Sequence, residues 1–247
     1  MSDRLVVHAH VPKSGSGLLN RNVFFRSFTR GETMLAYGED HGRLARVPGA
    51  DRRAVAARLG RASLAIGHVP YGYFDGFGRW TVYISVFDDP VRRFLNFAGA
   101  VMTERAATAA SLFGGAARPA DPERTVDGLL DLDDVQTRQT DMMTRIAAGL
   151  PAFGAARPRR EHLNVARANV VRSNYIVATR AQMPAFEGYL AQVLGVSTEG
   201  RGGGGWTTPA ARKGGVVTIR RADLSARTLK RIEAANDLDM RLYDAVM

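Results

Sequence analysis

A chain of 247 residues with 45% apolar side chains is long enough for one large α/β domain or two small ones, with a full hydrophobic core. It has no cysteine, which excludes disulfides, thiolate chemistry and cysteine-based metal sites, and its five histidines lack HExxH spacing, so no metal is expected. The formal net charge of +10, carried almost wholly by arginine, suits a polyanionic or phosphorylated partner; no nucleic-acid module accompanies it and the basic residues are spread along the chain, so no nucleic-acid partner is expected.

Residues 4–10 predict a first strand, followed by the small-residue loop Lys13–Gly17 and a helix over 17–29. Residues 30–50 are mixed and Gly-rich, with a short strand expected around Thr33–Tyr37. Asp51–Leu59 reads as a helix with Asp51 as N-cap. Leu64–His68 reads as a buried strand. Trp80–Phe87 is the strongest strand, apolar or β-branched at nearly every position, as in a parallel strand covered on both faces. It stops at Asp88-Asp89-Pro90. Asp89 suits an N-cap and Pro90 the first helical position, so a helix is expected from Pro90 to about Ala110.

Residues 111–124 read as a Gly/Pro/Ala-rich loop, 133–148 and 161–171 as helices, and Asn174–Ala178 as a further strand. A helix over Pro184–Leu194, a Gly-rich loop over Glu199–Trp206 and a C-terminal helix from about Asp223 complete the chain. Strands alternate with helices, with no internal repeat and no domain boundary. This predicts one α/β domain over 1–247, a P-loop-like parallel sheet flanked by helices. No run of about 18 apolar residues spans a membrane. The N-terminus enters the first strand without a signal-peptide pattern, and the Ala/Arg/Gly-rich composition is of a bacterial kind, so a soluble cytoplasmic protein is expected.

The chemistry begins at residues 5–19, LVVHAHVPKSGSGLL. A strand ending in a Gly/Ser loop before a helix leaves backbone N–H groups available to an anion, which the helix N-terminus also favours. Lys13 precedes the glycines, whereas in the nucleotide-triphosphate loop GxxxxGK[ST] the Lys follows them, which speaks against a P-loop kinase. Lys13-Ser14-Gly15-Ser16 after a strand resembles the 5′-phosphosulfate loop of sulfotransferases, which use 3′-phosphoadenosine-5′-phosphosulfate. Gly67-His68-Val69 is similar to the Gly-His-Val segment of heparan and uronyl 2-O-sulfotransferases, whose His is the catalytic base. Val82–Phe97 (VYISVFDDPVRRFLNF) looks like the family's strand-loop-helix [I/V]-x-x-[L/I]-R-D-P-x-x-R-x-x-S. Asp89, Pro90 and Arg93 match, while Asp88 stands for the family's first Arg and Asn96 for its Ser. Those two positions hold the cofactor's 3′-phosphate in the family. Replacing Arg by Asp turns an attraction of about 4 kcal/mol (unit charges ~4 Å apart at an effective dielectric of 20) into a repulsion, unless an arginine such as Arg92 pairs with Asp88. Ala211-Arg212-Lys213-Gly214 resembles the Arg-Lys-Gly element that closes over the 3′-phosphate, and Asn236–Tyr243 resembles the family's C-terminal helix.

The resemblance implies the sulfotransferase fold and transfer of a sulfuryl group from 3′-phosphoadenosine-5′-phosphosulfate to an acceptor hydroxyl, with a carbohydrate favoured as acceptor and 3′,5′-bisphosphoadenosine as product. It implies that the phosphosulfate lies on Lys13, Ser14, Gly15, Ser16 and Gly17. Lys13 would stabilise the leaving phosphate oxygen, and His68 would act as base. Arg93, Asn96, Arg212 and Lys213 would hold the 3′-phosphate. Each element also has a plainer reading: a Gly/Ser turn, an inert strand-end histidine, a solvated basic pair. The departures at Asp88 and Asn96 leave open a non-catalytic protein of the same fold that binds a phosphorylated ligand or a protein partner.

Overall fold

When both faces of a sheet are covered, every strand position must be apolar, because alternate side chains point to opposite faces. Trp80–Phe87 comes close to that demand, apolar or β-branched at every position but Ser85, whose buried hydroxyl donates to the Ala9 carbonyl (2.8 Å), and it is strand β4 in the computed structural model, which describes residues 4–36, 56, 57, 59–104, 121–194 and 217–247. It pairs with β1 (Arg4–Ala9) on one side and β5 (Tyr175–Thr179) on the other. Beyond β1 lie β3 (Leu64–Gly67) and then β2 (Thr33–Ala36). All five strands are parallel, in the order β2-β3-β1-β4-β5, an arrangement compatible with a P-loop-like fold.

Helix α1 covers residues 17–27, with a π-helical stretch over Asn20–Phe24 between α-helical ends. Its Leu19, Val23 and Phe24 join Phe186 and Leu190 of α7 (Met183–Leu194) in one core, against Val6, Leu64, Ile66, Ile84 and Val86 of the sheet. The neighbouring strand positions Leu5, Val7, Ala65, Tyr83 and Tyr175 belong to a second core. That core takes Met142 and Ile146 from α5 (Met142–Ala147), Leu163 from α6 (Arg160–Val170) and Leu242 from α9 (Asp237–Val246). Strand alternation thus divides the apolar residues between two helical layers. A third cluster forms among α2 (Pro90–Glu104), α3 (Pro122–Asp131) and α8 (Ala226–Ala235), through residues such as Phe94, Leu129 and Ile232.

The start of α2 is as the sequence predicts: Asp89 Oδ1 accepts from the Arg92 amide (2.7 Å), with Pro90 at the first position. Three expectations need correction. The loop expected to run to residue 124 stops at Asp121, whose carboxylate accepts from the Arg124 amide and caps α3. The helix expected over 133–148 is two, α4 (Asp133–Gln139) and α5, separated where Asp141 takes a left-handed φ of +48°. The C-terminal helix is also two, α8 and α9, parted at Asn236.

One buried polar junction accounts for both breaks. Asp239 accepts from the Met143 and Thr144 amides at the start of α5 (3.0 and 2.7 Å), and Asn236 Oδ1 accepts from the Asp141 amide (3.3 Å) and from Arg93 Nη2 (3.2 Å). Such bonds to first-turn amides satisfy donors that a helix leaves open. The predicted helix over Asp51–Leu59 and the Gly-rich loop over Glu199–Trp206 lie largely or wholly outside the described residues. Among the described residues no helix is long and apolar enough to cross a membrane.

After residue 216 the chain follows α2. The Val217 amide donates to Thr103 Oγ1 (2.8 Å), its carbonyl oxygen sits against Gly99, and Arg221 pairs with Asp89 (2.9 Å). A methyl group on Gly99 would overlap that carbonyl, whereas one on Gly188 in α7 meets nothing within 4 Å. Gly99→Ala is therefore expected to lower stability by about 1–3 kcal/mol, the usual range for overpacking. Gly188→Ala is expected to raise it by about 0.5–1 kcal/mol through helix propensity. Urea denaturation of the two variants checks both signs.

Candidate functional site

Because the strands are parallel, their C-terminal ends share one edge of the sheet. The residues that follow β3, β1, β4 and β5 are His68, His10, Asp88 and Arg180, in that spatial order. The chain leaves β1 toward β2 on one side, and leaves β3 to cross to β4 on the other. The switch in direction therefore falls between β1 and β4, where open α/β sheets bind ligands. The loop after β1 lies there.

In that loop Lys13 (φ +64°) and Gly15 (φ +81°) are left-handed, while Ser16 is right-handed (φ −62°). Alternation of this kind turns successive amides toward one concavity. Among the described residues the amides of Gly15, Ser16 and Gly17 have no backbone acceptor. A left-handed lysine costs about 1–2 kcal/mol relative to ordinary backbone. Asn96 of α2 helps to hold it, donating from Nδ2 to the Lys13 carbonyl (3.2 Å). Ser14 and Ser16 are fully buried. Ser14 Oγ donates to the Val11 carbonyl (2.9 Å) and lies 3.1 Å from Ser16 Oγ, so both hydroxyls act within the loop.

Three histidines stand beside the loop. His68 Nδ1 is 3.0 Å from the His10 carbonyl, which can only accept, so Nδ1 carries the proton and Nε2 is the basic nitrogen. The His68 ring stacks on His10 (centroids 5.0 Å apart) and meets Phe153 edge-on (5.2 Å). Val69, Tyr71 and Phe74, all buried, anchor the segment behind it. His8 lies inward on β1, its Nδ1 2.5 Å from Asn20 Oδ1. Burial drives the His8 pKa down to about 4, against the opposing bond to Asn20. Burial, then the neighbouring His8, His68 and Lys13 charges, holds His10 well below the ordinary range. Both are therefore neutral at pH 7. Among the described residues no group of three or more His, Cys, Asp or Glu side chains is arranged to hold a metal ion.

Asp88 is fully buried and paired twice. Its Oδ1 accepts from Arg92 Nε (2.6 Å) and the Asp89 amide (2.9 Å), and its Oδ2 from Arg180 Nη1 (3.2 Å). The pairing with Arg92 is the one its i, i+4 spacing suggests. Arg93, expected beside the 3′-phosphate, is not brought to the loop. It is fully buried, donating to the Gln139 carbonyl and to Asn236, in the field of Asp239 and Asp141. Arg212 and Lys213 lie outside the described residues. No motif in the sequence assigns a role to Arg180, His8 or His10. The available signal was position: a polar residue directly after a buried parallel strand falls on the ligand edge.

Neither a protein-family model nor a curated protein matches this chain.

His8 makes a pH prediction. Its folded pKa is about 4 and its ordinary value 6.5, so in between the unfolded chain binds a proton that the folded chain excludes. Stability from this group is intact above pH 6.5 and falls as the pH drops toward 4, by about 3 kcal/mol in full. The Asp141 carboxyl, raised by burial and by Asp239, acts in the opposite sense: its contribution declines as pH rises. That term is common to wild type and variant. His8→Gln should therefore flatten the rise of stability between pH 4 and 6.5 by up to one proton, measured by urea denaturation across pH. Parallel curves for the two proteins would refute this origin.

Proposed function

We propose that the chain is a sulfotransferase, transferring a sulfuryl group from 3′-phosphoadenosine-5′-phosphosulfate to an acceptor hydroxyl, with a carbohydrate as the favoured acceptor class. The observation that carries the reading is the juxtaposition of two distant segments. The Lys-first loop leaves the end of β1 just after His10, and the Gly-His-Val histidine at the end of the adjacent β3 packs against His10 through its ring and a hydrogen bond.

The residues present fit such a donor. Loop amides lack backbone acceptors, Lys13 is held in a strained conformation there, and Asp88, the carboxylate at the end of β4, is buried between two arginines. The donor supplies a sulfuryl group activated by its bond to phosphate. The amides of 15–17 would bind the phosphate, and Lys13 would offset the charge that develops on its bridging oxygen. His68 would take the acceptor proton at Nε2, while its Nδ1–H stays on the His10 carbonyl. That bond fixes the tautomer and favours the imidazolium that results. Phe153, against the His68 ring, would exclude water from that side. Asn96 acts on Lys13 by holding its carbonyl. The 3′-phosphate would rest on Asn96, Arg212 and Lys213 in this scheme, without Arg93.

Calorimetric titration with 3′,5′-bisphosphoadenosine, with adenosine 5′-monophosphate as control, tests the cofactor site. Micromolar binding of the bisphosphate and much weaker binding of the monophosphate is expected; no binding of either would overturn the reading. His68→Ala should lower turnover roughly 10²–10⁴-fold, the range for loss of a general base, with bisphosphate affinity nearly unchanged. Lys13→Gly should raise stability by up to about 1–2 kcal/mol by removing the left-handed strain, while turnover falls.

One observation favours a second reading, a non-catalytic protein of this fold that binds a phosphorylated ligand. Of the family's two 3′-phosphate positions, Asp88 is taken up by two internal ion pairs and Asn96 donates to the Lys13 carbonyl, while Arg93, also expected there, is buried in hydrogen bonds to the Gln139 carbonyl and Asn236. Bisphosphate binding without sulfuryl transfer to any hydroxyl acceptor would select it.

A further inference from the structure

Asp88 occupies a place at the switch point where a cation would serve an anionic ligand, and it has no exposed surface. Its register neighbour on the next strand is a cation. Phe87 pairs with Thr179, so Asp88 and Arg180 are the first residues past the ends of β4 and β5. From β5, two strands or about 10 Å from β1, the Arg180 side chain reaches across the end of β4. It comes to rest on the anion loop: Arg180 Nε lies 3.1 Å, and its Cδ and Cζ 3.3 Å, from where a β-carbon on Gly15 would be. Asp88 Oδ2 holds Nη1 at 3.2 Å, and Arg92 occupies the other carboxylate oxygen. The backbone of Arg180 is itself fixed, since Gln182 Oε1 accepts from Thr179 N (2.9 Å) and Thr179 Oγ1 (3.1 Å) at the start of the turn.

Two guanidinium groups share one carboxylate, so the cluster keeps one positive charge. A guanidinium has five N–H donors in a planar fork, and the bond to Asp88 uses one of Arg180's. The Arg180 side chain remains 38% exposed, so its other donors are within reach of a ligand seated on the loop.

We infer that Arg180 is the guanidinium that binds the phosphate of the loop's ligand, and that Asp88 is its positioning residue. This rests on reading residues 13–17 as a phosphate-binding loop. The cation is delivered from β5 instead of β4, and the carboxylate at 88 serves to aim it. Gly15 is required twice, for its φ of +81° and for the space that Arg180 fills.

The two roles open to Asp88 differ in sign. If Asp88 only repels phosphate, Asp88→Asn tightens binding; if it aims Arg180, Asp88→Asn weakens binding, and adds nothing once Arg180 is gone. The probes are inorganic pyrophosphate and 3′,5′-bisphosphoadenosine, titrated calorimetrically into wild type, Arg180→Ala, Arg180→Lys, Asp88→Asn and the Asp88→Asn/Arg180→Ala double variant. Thermal denaturation confirms folding, and Arg180→Lys keeps a charge beside Asp88 should the alanine variant be unstable. A loss of pyrophosphate affinity of 30-fold or more is expected for Arg180→Ala, with about 5–10-fold for Arg180→Lys, since an ammonium cannot reproduce the fork, and a similar loss for Asp88→Asn. The double variant should match Arg180→Ala. If pyrophosphate binds in this Arg180-dependent way and the bisphosphate does not bind, the inference stands and the cofactor reading falls. Unchanged pyrophosphate affinity in Arg180→Ala overturns the inference whatever the bisphosphate does. Tighter binding by Asp88→Asn overturns the aiming role, and no pyrophosphate binding to wild type overturns the site altogether.

Discussion

A parallel sheet brings the C-terminal ends of all its strands to one edge, and the site in this protein depends on that geometry. Four strands contribute the residue that follows them: His68, His10, Asp88 and Arg180. Each strand must be covered on both faces, which fixes the apolar content of β1 and β4 and leaves polar groups to gather where the strands stop. The switch of direction between β1 and β4 then opens a place for the loop from Lys13 to Gly17. Charged and titratable residues that are far apart in the chain become neighbours without any local motif that joins them.

The basic character of the chain is spent unevenly. Arg93 and Arg145 are buried as structural donors: Arg93 to the Gln139 carbonyl and Asn236, Arg145 to the Thr137 and Ala156 carbonyls. With Asp141 and Asp239 they form a buried charged junction that sets the breaks between α4 and α5 and between α8 and α9. Removing one member of such a junction leaves another buried and uncompensated, so its contribution is to specify one arrangement of helices more than to add net stability. Arg92 and Arg180, by contrast, surround one carboxylate at the ligand edge and remain partly in solvent. The same residue type therefore serves two purposes, separated by depth within the protein.

The histidines show the same division. His8 is buried and neutral, bonded to the π-helical stretch of α1 through Asn20. His68 is half-buried, with one nitrogen fixed by a backbone carbonyl and the ring stacked on His10. A histidine with its tautomer set and its orientation held is suited to accept a proton at one defined atom. The ring of Phe153 ties that atom's surroundings to the segment after α5, where the sequence carried little signal.

The strands, the capped start of α2, the Gly/Ser loop and the strand-end His68 were all legible in the sequence, because each is written in a local pattern. A run of apolar and β-branched residues, an Asp-Pro pair and a Gly-rich turn have the same physical meaning in most surroundings. The division of two predicted helices was not legible, since nothing in DDVQTRQTDMMTRIAA or NDLDMRLY demands a break until Asn236 and Asp239 reach the first turn of α5. Nor was the fate of the arginines. Spacing placed Arg92 beside Asp88, but whether Arg93 faced a ligand or the core, and that Arg180 would cross the end of β4 to lie on Gly15, follow from strand order and register. Local pattern is enough to say which segments form the sheet and where the loop sits. Which charges meet is set by the assembled fold, because pairing across strands depends on the order of strands in the sheet, and that order is not a local property of the chain.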